Sequence, residues 1–235
     1  MNSRPLPKGT GPTRPIRIAI PVPGHRARTG KLTRRLSRPL VVPLALFLAT
    51  LLPILLALVQ VVQIPLDALP EDSKRLTATP ILHFVHVLGG ATFAILGPIQ
   101  FGRALLPKFG ALHRVLGRVF VATGAMISIS SLGLLWHFPG AYSVAISGGR
   151  LVFGIGLGVA LFMAMQAIAT RDLVRHRNWM IRAYALGIGA TAVTMVFFPI
   201  YLITGEPPQG LVADIAFLGA WTACVLFAEG LVRRI

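Results

Sequence analysis

The stretch Leu151-Val-Phe-Gly-Ile-Gly-Leu-Gly-Val-Ala-Leu-Phe-Met-Ala-Met-Gln-Ala-Ile-Ala-Thr170 decides the fold. It contains no charged residue. As a helix rising about 1.5 Å per residue it crosses a hydrocarbon core of about 30 Å. It is too long for an ordinary strand, and a barrel strand would alternate over about ten residues. Its Gly-Ile-Gly-Leu-Gly run resembles a nucleotide loop only in letters. No strand precedes it, and it lies inside an apolar span, which argues against phosphate binding. Gly154 and Gly158 form a small-xxx-small pair, which predicts close approach of another helix.

Five more runs of this kind follow from the same reading. The six expected spans are 40–63, 81–101, 115–136, 151–170, 183–203 and 211–231. The sequence therefore predicts an all-α, polytopic integral membrane protein, a six-helix transmembrane bundle over residues 40–235. Composition agrees. The chain has 235 residues, 54% hydrophobic and 13% charged. A soluble domain carries about 25% charged residues, enough to cover a water-facing surface. Prolines at 43, 53, 98 and 199 are expected to kink or bound the helices, with freed carbonyls satisfied by neighbours.

The net charge is nevertheless +16, from 23 Lys+Arg against 7 Asp+Glu. Placement explains it. Residues 1–39 hold ten of the basic residues, no acid, and many Pro, Gly, Ser and Thr. They read as a disordered basic tail. The tail does not match a signal peptide, and an organellar transit peptide is a minor alternative. With the tail in the cytoplasm, 20 basic residues lie inside and 3 (Lys74, Arg75, Arg150) outside. The positive-inside rule then puts both termini in the cytoplasm and the protein in the cell inner (plasma) membrane. The expected partners are the bilayer and its anionic headgroups. Nucleic acid is excluded, because the basic residues are not spread over a folded polar surface. Cys224 is the only cysteine, which excludes an internal disulfide and a Cys-rich metal site. Oligomeric state is not readable.

Chemistry is sparse. No Asp, Glu, Lys or Arg stands at the centre of an expected span, where a charge would mark a pathway. Glu229 and Asp214 lie near helix ends and are expected to reach headgroups. Ser128, Ser130 and Ser131 read as packing polarity. Of six histidines, His25 falls in the tail. His83 and His86 share a face at the outer start of the second span. His137 ends the third span on that side. His113 and His176 lie at the inner surface, each opening a basic motif: His113-Arg114-Val115-Leu116-Gly117-Arg118 and His176-Arg177-Asn178-Trp179-Met180-Ile181-Arg182. The plain reading of Arg114, Arg118, Arg177, Trp179 and Arg182 is lipid contact, with arginines snorkelling to phosphates. The sharper reading pairs His86 with His137 and His113 with His176. Haem b iron takes two imidazoles from opposite sides, so two such pairs would make a transmembrane electron conduit, like that of cytochrome b561-like proteins. Zinc would need further Asp, Glu or Cys ligands, and none is evident. The alternatives are a small-solute or lipid transporter with His86 as its proton-sensitive group, and a non-catalytic membrane scaffold. Whether the protein is an enzyme stays open.

These residues resemble a known family, the bacterial predicted membrane proteins of domain-of-unknown-function family 2306. The matching pieces are His86-Val-Leu-Gly89-Gly90, Leu96-Gly97-Pro98-Ile99-Gln100-Phe101, His113-Arg114 with Gly117-Arg118, and His176 through Leu186. Ala228-Glu229 matches near the end. The resemblance covers roughly residues 75–235. It departs where family members tend to carry Thr-Leu-Arg and this chain reads Thr194-Met195-Val196. The resemblance implies a multi-helix membrane bundle and no established activity. It marks His86, His113, His176, Arg177, Trp179 and Arg182 as the residues to test.

Overall fold

In this computed structural model the described residues are 38–66, 68, 77–101 and 110–234. The basic tail lies outside them, except that Arg38 and Pro39 open the first helix. The described residues form seven helices: α1 (Arg38–Gln63), α2 (Pro80–Phe101), α3 (Gly110–His137), α4 (Val144–Ala169), α5 (Leu173–Gly187), α6 (Gly189–Thr204) and α7 (Gly210–Val232). No strand occurs among the described residues. Six segments are long and apolar enough to cross a membrane, because α5 and α6 together form one span, Leu173–Thr204.

Hydrogen bonds between helices show how the bundle alternates. His86 at the start of α2 meets Ser130 near the end of α3. Gln100 at the end of α2 donates to the His113 carbonyl at the start of α3. His176 at the start of α5 meets Ala164 near the end of α4. Ser143, which caps α4, donates to Asp214 at the start of α7. One end of the bundle thus gathers the end of α2, the start of α3, the end of α4, the start of α5 and the end of α7. We call it the basic end, since Arg114, Arg118, Arg171, Arg175, Arg233 and Arg234 all stand exposed there.

Lipid is as apolar as leucine, so the helices are held together by close packing and interhelical hydrogen bonds. The main core joins α2, α3, α4 and α5 through Phe93, Phe120, Leu157, Leu161, Ala164 and Tyr184. Phe93 stacks on Phe120 at 4.1 Å between centroids. A second cluster joins α4, α6 and α7 through Ile146, Val193, Ala213 and Phe217. Gly154 and Gly158 of α4 face α3, as their spacing implies. Ser128 donates to the Gly154 carbonyl at 2.7 Å, and an added Cβ on Gly158 would lie 3.1 Å from Ser128 Oγ.

Three helix starts differ from the sequence reading by five residues or more; α4 begins at Val144 rather than 151. Helix α3 begins at Gly110, so His113 and Arg114 lie on the helix itself. The fifth span begins at Leu173 and breaks at Ile188. Its 32 residues measure about 48 Å at 1.5 Å each, well beyond a core of about 30 Å. The surplus is the polar α5 segment, which apolar-run reading cuts away.

Candidate functional site

Helix α5 carries the most polar spanning sequence and the site. A tight turn delivers it. Arg171 adopts a left-handed conformation (φ 59°), and the Asp172 carboxylate then caps α5 by accepting from the Arg175 N–H at 2.9 Å. Asp, Asn, Ser and Thr favour this position because a short side chain satisfies a donor that the helix leaves unpaired. The chain returns along α4, and the His176 ring is fixed at once. Its Nδ1 lies 2.9 Å from the Ala164 carbonyl oxygen. A carbonyl only accepts, so Nδ1 carries a hydrogen, and in the neutral ring the lone pair falls to Nε2.

Further along, Arg182 forms a two-pronged ion pair with Glu229 of α7. Nε donates to Oε1, and Nη2 donates to Oε2 at 2.9 Å. The two side chains are 27% and 31% exposed, so water and headgroups still reach them. The guanidinium also lies over the Trp179 ring, 4.8 Å from its centroid. The sequence reading had Glu229 reaching for headgroups. It turns sideways because a carboxylate inside a span is cheaper against a cation than alone. Arg182, Glu229 and Trp179 line a cavity of about 220 Å³ with Gly156, Ala185 and Leu186. A second cavity, about 310 Å³, runs between α3 and α4 under an apolar lining that includes Phe162 and Met165.

The fifth span is interrupted at Ile188, two residues beyond Leu186 of the cavity wall. Gly187 and Gly189 flank Ile188, and both positions are crowded. A Cβ on Gly187 would overlap the Phe93 ring, and one on Gly189 the Trp221 indole. The interruption frees backbone groups, and Trp221 answers one of them. Its Nε1–H donates to the Leu186 carbonyl at 2.9 Å. Trp221 is held in place by stacking on Phe153 at 4.7 Å.

One contact joins the two longest motifs. Pro98 has no N–H, so the Ala94 carbonyl four residues earlier loses its helical donor. The Tyr184 hydroxyl donates to that carbonyl at 3.3 Å. Gly97 makes room, since a Cβ there would overlap the Tyr184 ring. The segments around Gly97-Pro98 and Tyr184 are therefore complementary surfaces.

The remaining residues fall as follows. His113 is half-buried on the first turn of α3, within electrostatic reach of His176 and Arg114. His86 meets Ser130 at 3.0 Å and is within electrostatic reach of His83 and Arg150. His137 is exposed at the end of α3, its ring near Phe138. Arg177 and Trp179 are half-buried on α5. Neither cavity above has a histidine in its wall. Sequence reasoning missed Tyr184, Trp221 and the Arg182–Glu229 pairing. Two signals were present: Pro98 demands a donor for residue 94, and a lone acid in a span demands a base.

Against known families, residues 83–232 match the family described as "Predicted membrane protein (DUF2306)". No curated protein matches. No solved structure matches.

Proposed function

The chain belongs to the DUF2306 family of predicted membrane proteins, and on that premise we propose that it is a lipid transporter. Its substrate site is the cavity between α4, α5 and α7. One observation carries this reading: the cavity has an ion pair on its wall and lies beside the segment where the fifth span is interrupted at Ile188. Interrupted spans in transporters mark binding sites, because irregular backbone inside a membrane survives only where protein or a cavity satisfies it. The walls suit an amphiphile. Gly156, Val159 and Ala160 offer a smooth apolar floor for an acyl chain. The exposed arginines of the basic end offer cations for a phosphate headgroup. We infer further that the basic end faces the cytoplasm across an inner (plasma) membrane, from the 20-to-3 distribution of Lys and Arg.

The test is reconstitution in phosphatidylcholine vesicles with a trace of fluorescent phosphatidylglycerol. Added dithionite reaches only outer-leaflet label in protein-free vesicles. The protein should render the inner-leaflet label quenchable, and an Arg182→Ala, Glu229→Ala double variant should slow this several-fold. Rates equal to protein-free vesicles would sink the transport reading and leave the scaffold. A topology reporter fused after the last residue should read cytoplasm; a signal from the opposite side overturns the orientation.

Haem-mediated electron transfer is the second reading, and the ring geometry favours it. His176 and His86 each point Nδ1 at a protein oxygen, which leaves Nε2 for a metal, as in most metal-bound histidines. The absence of histidine from the two cavity walls places it second. Protein expressed with added haem and reduced with dithionite decides it. A Soret band weakened by His86→Ala or His176→Ala would support it; no band would end it.

A further inference from the structure

The opposite end of the bundle holds a second polar cluster, independent of the cavity. His83 and His86 stand one turn apart on α2. His83 is only 5% exposed, and both of its ring nitrogens are buried without a hydrogen-bond partner. Thr79 Oγ1, one turn earlier, is buried and unpartnered too. A neutral imidazole carries one N–H and one lone pair, and burying both unpaired is unfavourable. Such a group in a native bundle calls for an occupant.

His86 is prepared differently. Its Nδ1 lies 3.0 Å from Ser130 Oγ. That hydroxyl has one proton, and it is directed at the Met126 carbonyl, 2.6 Å away, with the Ile127 carbonyl at 3.2 Å. The serine oxygen is therefore the acceptor, the Ile127 carbonyl also accepts from the ring, and in the neutral ring protonated at Nδ1 the lone pair falls to Nε2. Ser130 is itself 1% exposed, so the support is rigid. A second partner on the far nitrogen is how proteins orient metal-bound imidazoles.

We propose that His83 and His86 form a binding site for a monovalent copper ion. Imidazole nitrogen suits zinc, copper, iron and nickel. Zinc takes three or four protein ligands, whereas no group of three or more His, Cys, Asp or Glu gathers among the described residues. Copper(I) is satisfied by two donors in line. It also brings the smallest charge into a site with no carboxylate gathered at it among the described residues, and the cost of burying an ion grows with its charge. Arg150 lies within electrostatic reach of His86, which further disfavours a divalent ion. The arginine is itself drawn onto the Tyr142 ring, 3.7 Å from its centroid.

The experiment titrates purified, detergent-solubilised full-length protein with Cu(I) under anaerobic conditions, against a chromogenic Cu(I) chelator. One ion per chain is expected. His83→Gln and His86→Gln should each weaken binding by at least about tenfold, with thermal melting showing that the variants stay folded. X-ray absorption on the unaltered protein covers the case where they do not fold: nitrogen-only coordination supports the site, and sulfur in the first shell overturns it. Binding no tighter than detergent alone, binding unchanged in both variants, or displacement of the copper by equimolar Zn(II) would each overturn the proposal.

Discussion

Tyr184 shows how one residue joins two distant motifs. Its hydroxyl answers a carbonyl that Pro98 leaves without a donor, and Gly97 yields the space for its ring. Tyr184→Phe should cost about 1 kcal/mol, the usual scale of an interhelical hydrogen bond in a membrane protein. Restoring the helical donor with Pro98→Ala should shrink that cost, because Ala94 then needs no tyrosine. A double-mutant cycle in thermal melts tests this, and strict additivity would refute it. Gly97→Ala acts by steric overlap and should cost about 1–3 kcal/mol. Pairing it with Tyr184→Ala should recover part of the loss. None of this is visible in the periodicity of the chain. Gly-Pro in an apolar run reads as a kink, and only the neighbouring helix shows what fills it.

At the scale of the element, the fifth span separates what an apolar run can reveal from what it hides. Residues 183–203 read as one helix because hydropathy registers the apolar part alone. The structure begins the segment at Leu173 and divides it at Ile188. Polar residues extend a helix whenever its end can leave the hydrocarbon, and here about a third of the length can. The break is not legible either. Gly187 and Gly189 are ordinary in a spanning helix, where glycine is common, and their meaning comes from Phe93 and Trp221 pressing against them. Trp221→Phe keeps most of the stacking on Phe153 but removes the donor to Leu186. It should lower stability by about 1 kcal/mol and raise amide hydrogen exchange around residues 186–190. Unchanged exchange there would show that the break needs no tryptophan.

For the whole molecule, the Arg182–Glu229 pair ties α5 to α7 beside the cavity between α4, α5 and α7. Losing one partner leaves a charge uncompensated, so each single alanine variant should cost about 1–2 kcal/mol, less than for a fully buried pair because both groups remain about 30% exposed. The double variant should cost less than the sum, as measured by detergent melting; a cost equal to the sum would mean the groups act separately. The sequence by itself determined the class of this protein: a helical bundle, six spans, one charged end. Those features follow from length, hydropathy and the cost of unpaired backbone in lipid, and they need no knowledge of neighbours. The family resemblance was legible too, in motifs long enough to be specific. Only the tertiary structure decided the partners. It paired Glu229 with Arg182, gave His86 to Ser130, left His83 buried and unsatisfied, and put Tyr184 under Pro98. The physical reason is that hydropathy sums over a window, whereas a hydrogen bond or an ion pair depends on which two side chains from distant segments face each other within about 3 Å.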